Sequence, residues 1–162
     1  MNRIIISALQ EVVVCSKCQR QSVNVYLSEF SYGQRLYPYD NGKQYAFINL
    51  LESELFDEYD DMLTTVIKRN GIAISRDKLN EVLNQTFGIT FDKIDGQEID
   101  YSGSKKCCEY CSSFDFGSLI AEPEKLVDIE ATLITHEKWM SLTNDEKMEK
   151  IEEELKRIGL LL

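Results

Sequence analysis

Two short cysteine pairs, Cys15-x-x-Cys18 and Cys108-x-x-Cys111, stand far apart in a chain of 162 residues, and no other feature constrains the fold as strongly. A two-residue spacer lets both sulfurs of one tight turn point at a common centre. Two such turns supply the four soft donors that a tetrahedral Zn2+ prefers. A shared ion would require the chain to return residue 108 to the side of residue 18. Four protein sulfurs leave no open position on the metal, so the expected zinc is structural rather than catalytic. Cys107 is the spare among five cysteines. Cys107-x-x-x-Cys111 is the alternative second pair, and the two-residue spacing is favoured because the first pair shares it.

Other uses of these cysteines fit less well. An odd number leaves a disulfide framework with one unpaired thiol, and this is not a short secreted chain. A redox Cys-x-x-Cys opens a helix in a βαβ setting, whereas polar residues and then a strand-like run follow each pair here. Two unrelated reduced pairs remain the plain structural alternative. Lys17 and Arg20 flank the first pair, and Lys105 and Lys106 precede the second. Cations beside thiolates lower their pKa and offset the charge of a four-thiolate site.

Hydrophobic periodicity supplies the elements between and around the pairs. Residues 3–14 are apolar and β-branched apart from Gln10-Glu11, and residues 22–30 alternate with Val23, Val25 and Leu27 on one side. Asp40-Asn41-Gly42 is a hairpin signal between strands at 35–39 and 43–48. From Asn49 to Asn70 the period becomes helical, with Leu51, Leu55, Tyr59, Met62, Leu63, Val66 and Ile67 in register and a stop at Asn70-Gly71. Ser75 is placed to cap a second helix that ends at Gly88. Strands are expected at 89–94, at Phe114–Phe116 and at 126–135. Thr135 is placed to cap a short turn containing Trp139, and Thr143 with Glu146 forms a capping box that opens the last helix. The expectation is a single-domain α+β fold: an antiparallel sheet packed by three to four helices, with the cysteine turns adjacent.

The order of cysteine knuckle and then strand, at both pairs, resembles a zinc ribbon with residues 11–30 and 105–120 as its halves. That resemblance implies Cys15, Cys18, Cys108 and Cys111 as the zinc ligands. The stretch between Cys18 and Cys108 far exceeds the ~15–20 residues of a compact finger, so an α/β insertion over residues 31–104 is required.

Motifs for chemistry are scarce. His136 is the single histidine, with no Gly-x-Ser-x-Gly or similar nucleophile motif to serve. It reads as a helix-start residue, with replacement of one cysteine as a ligand the other use. No phosphate-binding glycine loop, dinucleotide fingerprint or zinc-protease motif occurs. Tyr26, Tyr32, Tyr37, Tyr39 and Tyr45 are ordinary strand and hairpin tyrosines, though tyrosine also anchors interfaces. The start of the chain reads as a buried strand rather than a signal peptide, which points to a cytosolic protein. No apolar run is long enough for a transmembrane helix.

Charge then suggests a partner. The net charge is −10, which opposes long-range attraction to phosphate. Glu54, Asp57, Glu58 and Asp61 fall at i, i+3, i+4 and i+7, forming one acidic stripe on the first helix. The plain reading is a solvated helix face. The functional reading is a docking surface for a basic protein, which would make the chain a non-catalytic, zinc-stabilised binding protein. In size, charge and lack of catalytic motifs it resembles bacterial immunity proteins. That resemblance implies a cognate toxin, such as a nuclease, as the basic partner in the cytoplasm. Two alternatives stand beside it: a nucleic-acid-associated or transcription-related zinc-ribbon protein using Lys17, Arg20, Lys105 and Lys106, and an enzyme without a recognisable motif.

Overall fold

The structure, a computed structural model, describes residues 2–28, 32–102, 107–117 and 120–162. β-Branched residues dominate the first long strand, β1 (Arg3–Val14), and Gln10-Glu11 do not break it. β1 forms an antiparallel hairpin with β2 (Gln21–Tyr26), joining Val14 to Gln21 and Leu9 to Tyr26. A second hairpin joins β3 (Gln34–Tyr39) and β4 (Gln44–Asn49). Its loop places Asp40, Asn41 and Gly42 in succession at positive φ, a backbone that Asn and Gly adopt at low cost.

Helices follow where the period changes. Ser53 caps α1 (Glu54–Arg69) by accepting from the Phe56 amide, and Gly71 at φ +68° ends it. Ser75 caps α2 (Arg76–Thr86) in the same way through the Lys78 amide. The last strand, β5 (Ile120–Leu133), leads into a short helix α3 (Glu137–Met140) and then α4 (Asn144–Arg157). α4 opens on the expected Thr143–Glu146 capping box.

The sheet order is β2-β1-β5-β4-β3. β5 runs antiparallel to β1 over most of its length but parallel to β4, through Ala46–Thr132 and Phe47–Leu133. The wholly antiparallel expectation is therefore corrected. A parallel pair needs a long crossover, and the chain between β4 and β5 provides one that carries α1 and α2. The core lies between the β3–β4 end of the sheet and the helices. Tyr39, Ala46 and Ile48 meet Tyr59, Leu63, Val66 and Ile67 of α1, Val82 of α2, and Ile151 and Leu155 of α4.

Two expected strands do not form. Phe87–Thr90 is a 3-10 turn, and Ile94 makes only an isolated bridge to Gln97. The Thr90 hydroxyl donates to the Phe87 carbonyl and tightens the turn, while Phe87 and Phe91 pack edge to face. Those local bonds hold the run in a curl that aims both rings at the core. After Cys111, residues 112–116 are irregular. The Ser113 hydroxyl accepts from the Asp115 amide, and the Asp115 carboxylate accepts from the Gly117 amide. Side chain–backbone bonds of this kind compete with a sheet ladder.

Candidate metal centre

The four cysteines of the two pairs converge. Cys15 and Cys18 lie in the turn between β1 and β2, and Cys108 and Cys111 lie in the segment leading to β5, so both turns meet where β1 ends. All four sulfurs lie within 4.8 Å of one another. Cys15 Sγ is 3.5 Å from Cys111 Sγ, and Cys18 Sγ is 3.6 Å from Cys108 Sγ. A disulfide would bring a pair to about 2.05 Å. A tetrahedral ion with Zn–S bonds near 2.3 Å sets sulfurs about 3.8 Å apart, close to the observed spacing. Four cysteines thus stand where they could hold one metal ion.

The two knuckles repeat one backbone design. The Cys15 amide donates to the Arg20 carbonyl and the Gln19 amide to the Cys15 carbonyl; the Cys108 amide donates to Ser113 and the Ser112 amide to Cys108. Gln19 and Ser112 occupy the equivalent fourth position after the first cysteine, both at positive φ, 65° and 62°. The first cysteine of each pair is buried, at 0% and 1% exposure, and the second is half-buried. Neither pair opens a helix, so the arrangement lacks the geometry of a redox Cys-x-x-Cys.

The amides of each turn also point at its first sulfur. The Cys18 amide, with that of Lys17, lowers the Cys15 thiol to about 7. The Tyr110 and Cys111 amides lower Cys108 likewise. The Ser113 amide favours the Cys111 thiolate, but burial and three neighbouring sulfurs outweigh it and raise this thiol to about 11. Adjacent thiolates repel one another, and a divalent ion would offset their charge.

Two contacts join the halves independently of a metal. The Ser16 amide donates to the Asp115 carbonyl at 2.8 Å, and the Arg20 guanidinium sits 4.6 Å above the Tyr110 ring. Gly117, at φ +56°, passes so close to Ser16 that a Cβ would lie 2.7 Å from the serine hydroxyl. Lys17 is exposed beside the site; Lys105 and Lys106 lie outside the described residues.

Cys107 is half-buried and is not a member of the cluster, which takes Cys108. His136 is not a ligand here either. Its Nδ1 lies 3.0 Å from the Thr90 hydroxyl and 3.1 Å from the Thr90 carbonyl. The expected cap at Thr135 is displaced: Thr135 donates to Asp92, whose carboxylate accepts from the Glu137 and Lys138 amides and so caps α3 from another part of the chain. The repeated Gln19 and Ser112 turn positions had no sequence signal, because neither glycine nor asparagine marks them.

Glu54, Asp57, Glu58 and Asp61 are all exposed along α1. Glu58 accepts from Lys147 Nζ of α4 at 3.1 Å, so it helps hold two helices together. Among the described residues Glu54, Asp57 and Asp61 have no ion-pair partner. No protein-family model, curated protein or solved structure matches this chain.

Proposed function

We propose that the four-cysteine centre holds a structural Zn2+ and that the chain is a non-catalytic binding protein which captures a basic protein partner. The metal reading is supported by sulfur spacing near that of a thiolate tetrahedron and by the repeated knuckle backbone. The partner reading rests on one observation: Glu54, Asp57 and Asp61 stand exposed and uncompensated along one face of a well-anchored helix. Fixed carboxylates of this kind raise the association rate with a basic surface. A cytoplasmic toxin of the nuclease type, whose phosphate-binding cleft is basic, is the partner class that such a face fits, as in bacterial immunity proteins.

Purified protein should carry about one zinc per chain, and Cys18→Ser should lose it with a drop in stability; metal-free protein of equal stability would overturn the metal reading. For the partner, a basic toxin encoded beside this gene is the candidate to assay. Its association rate should fall by roughly tenfold when Glu54, Asp57 and Asp61 are neutralised together, and most of its salt dependence should disappear. An unchanged rate and salt slope would reject the acidic face.

A second reading draws on the opposite charge at the metal centre. Arg20 stacks on Tyr110, Lys17 lies in the same turn, and Tyr110 and Phe114 are exposed at 55% and 62%; cations and aromatics together suit single-stranded nucleic acid. A labelled oligonucleotide that binds wild type, but not Lys17→Gln/Arg20→Gln, would favour this reading over protein capture.

A further inference from the structure

Carboxylates outnumber cations 28 to 18 in this chain, and several basic side chains are paired with one. Arg3, Arg69, Arg76, Lys78, Lys147 and Arg157 all reach one. What sets Lys93, Lys138 and Lys150 apart is their place: three lysines from separate segments border one cavity, none of them in an ion pair among the described residues. Lys93 follows the 3-10 turn, Lys138 lies in α3, and Lys150 lies in α4. Lys150 is close enough to Glu146 to favour its charged form, but no ion pair forms.

The cavity has a volume of about 430 Å³, within the ~300–1,000 Å³ of small-molecule sites. Phe91, Tyr101 and Trp139 line it, and Trp139 is 2% exposed. The Tyr101 ring reaches its place because residue 88 is glycine: a Cβ there would stand 1.9 Å from the ring. Gly88 is not among the glycines at positive φ, so what demands glycine here is space for the ring rather than backbone freedom. Two carboxylates share the lining, Asp92 and Glu98. Asp92 is committed to the start of α3, leaving Glu98 against three ammonium groups.

We propose that this cavity binds a small organic anion, with a planar apolar body against the Phe91, Tyr101 and Trp139 wall and an anionic head among Lys93, Lys138 and Lys150. The aromatic wall gives an inorganic ion little to gain, and the cationic rim gives a neutral ring no charge partner. The two features together select a molecule that carries both. The site is independent of the acidic α1 face and of the metal, and its failure would leave both readings intact.

Trp139 is the single tryptophan, so its fluorescence and indole N–H resonance report from the cavity wall. The probe is phenyl phosphate, titrated beside inorganic phosphate and benzyl alcohol, with calorimetry for affinity. Phenyl phosphate should shift the Trp139 signals saturably and bind about tenfold more tightly than either fragment, since charge-assisted bonds and apolar contact each contribute. Lys138→Gln and Lys150→Gln change exposed side chains and should keep the fold, yet each should weaken binding by roughly fivefold or more. Gly88→Ala should displace Tyr101 and lose binding. Absence of saturable binding, equal affinity for benzyl alcohol, or full affinity in both lysine variants would each overturn the proposal.

Discussion

His136 and Asp92 meet at the start of α3, and burial acts on them with different results. For His136 burial lowers the pKa below 6.5, and the Thr90 carbonyl and the Asp92 charge only partly oppose it. The unfolded chain therefore takes up that proton first. Stability is unaffected by this group above about 6.5 and falls as the pH drops through the window between that value and the lowered folded one. Burial also works to raise Asp92, but hydrogen bonds from the Thr135 hydroxyl and the Lys138 and Glu137 amides outweigh it and hold the carboxyl below 3.8. Its contribution is complete above 3.8 and is lost only as the pH falls further. The midpoint of urea unfolding should thus decline between pH 7 and pH 5.5, and His136→Gln should flatten the decline; an unchanged slope would remove His136 as the cause. A lone histidine carries no sequence signal for its burial. The cysteines do, because their spacing is itself the geometry of a turn that aims two sulfurs one way.

At the scale of elements, α1 shows how one stripe divides into different roles. Lys147 is 7% exposed and its ammonium rests on Glu58. Glu58→Gln should destabilise the protein by about 1–3 kcal/mol, since it strips the anion from a buried cation. Asp57→Asn should lie within about 0.5 kcal/mol of wild type in the same denaturation assay. Equal costs would mean that the Glu58–Lys147 bond does not fasten α1 to α4. In α4, Thr143→Ala removes the capping box and should cost about 1 kcal/mol, read as a lower unfolding midpoint. The starts of α2 and α4 were legible because their caps are local: a hydroxyl and an amide three residues on satisfy each other wherever the helix lies; α3 was not, since Asp92 caps it from another part of the chain. The runs at 89–94 and 114–116 were not, since Phe87, Phe91 and Phe114 suit a strand as well as a curled loop. Thr90 and Ser113, bonding to nearby backbone, decide the matter in favour of the loop.

Across the whole molecule, β1 and β5 are far longer than the other strands, at 12 and 14 residues; at about 3.3 Å per residue β1 extends for about 40 Å. The helices gather near β3, β4 and the end of β5, while the cysteine centre closes the opposite end of the β1–β5 ribbon, where Val14 gives way to Cys15. Removing the proposed Zn2+ should therefore loosen the protein unevenly. Hydrogen exchange after chelation should rise at residues 15–26 and 108–117 while α1, α2 and α4 keep their protection; uniform loss of protection would show that the centre supports the whole core. No described helix is long and apolar enough to cross a membrane. By itself the sequence determined the two Cys-x-x-Cys turns, the caps at Ser75 and Thr143, the β3–β4 hairpin and the mixed α+β class, and the first three arise from spacings within a few residues. Only the tertiary structure decided that β5 runs parallel to β4, that Cys108 rather than Cys107 joins the cluster, and that Lys93, Lys138 and Lys150 share a cavity. Each of these depends on where distant segments meet, and that is fixed by the packing of the whole core rather than by any local preference.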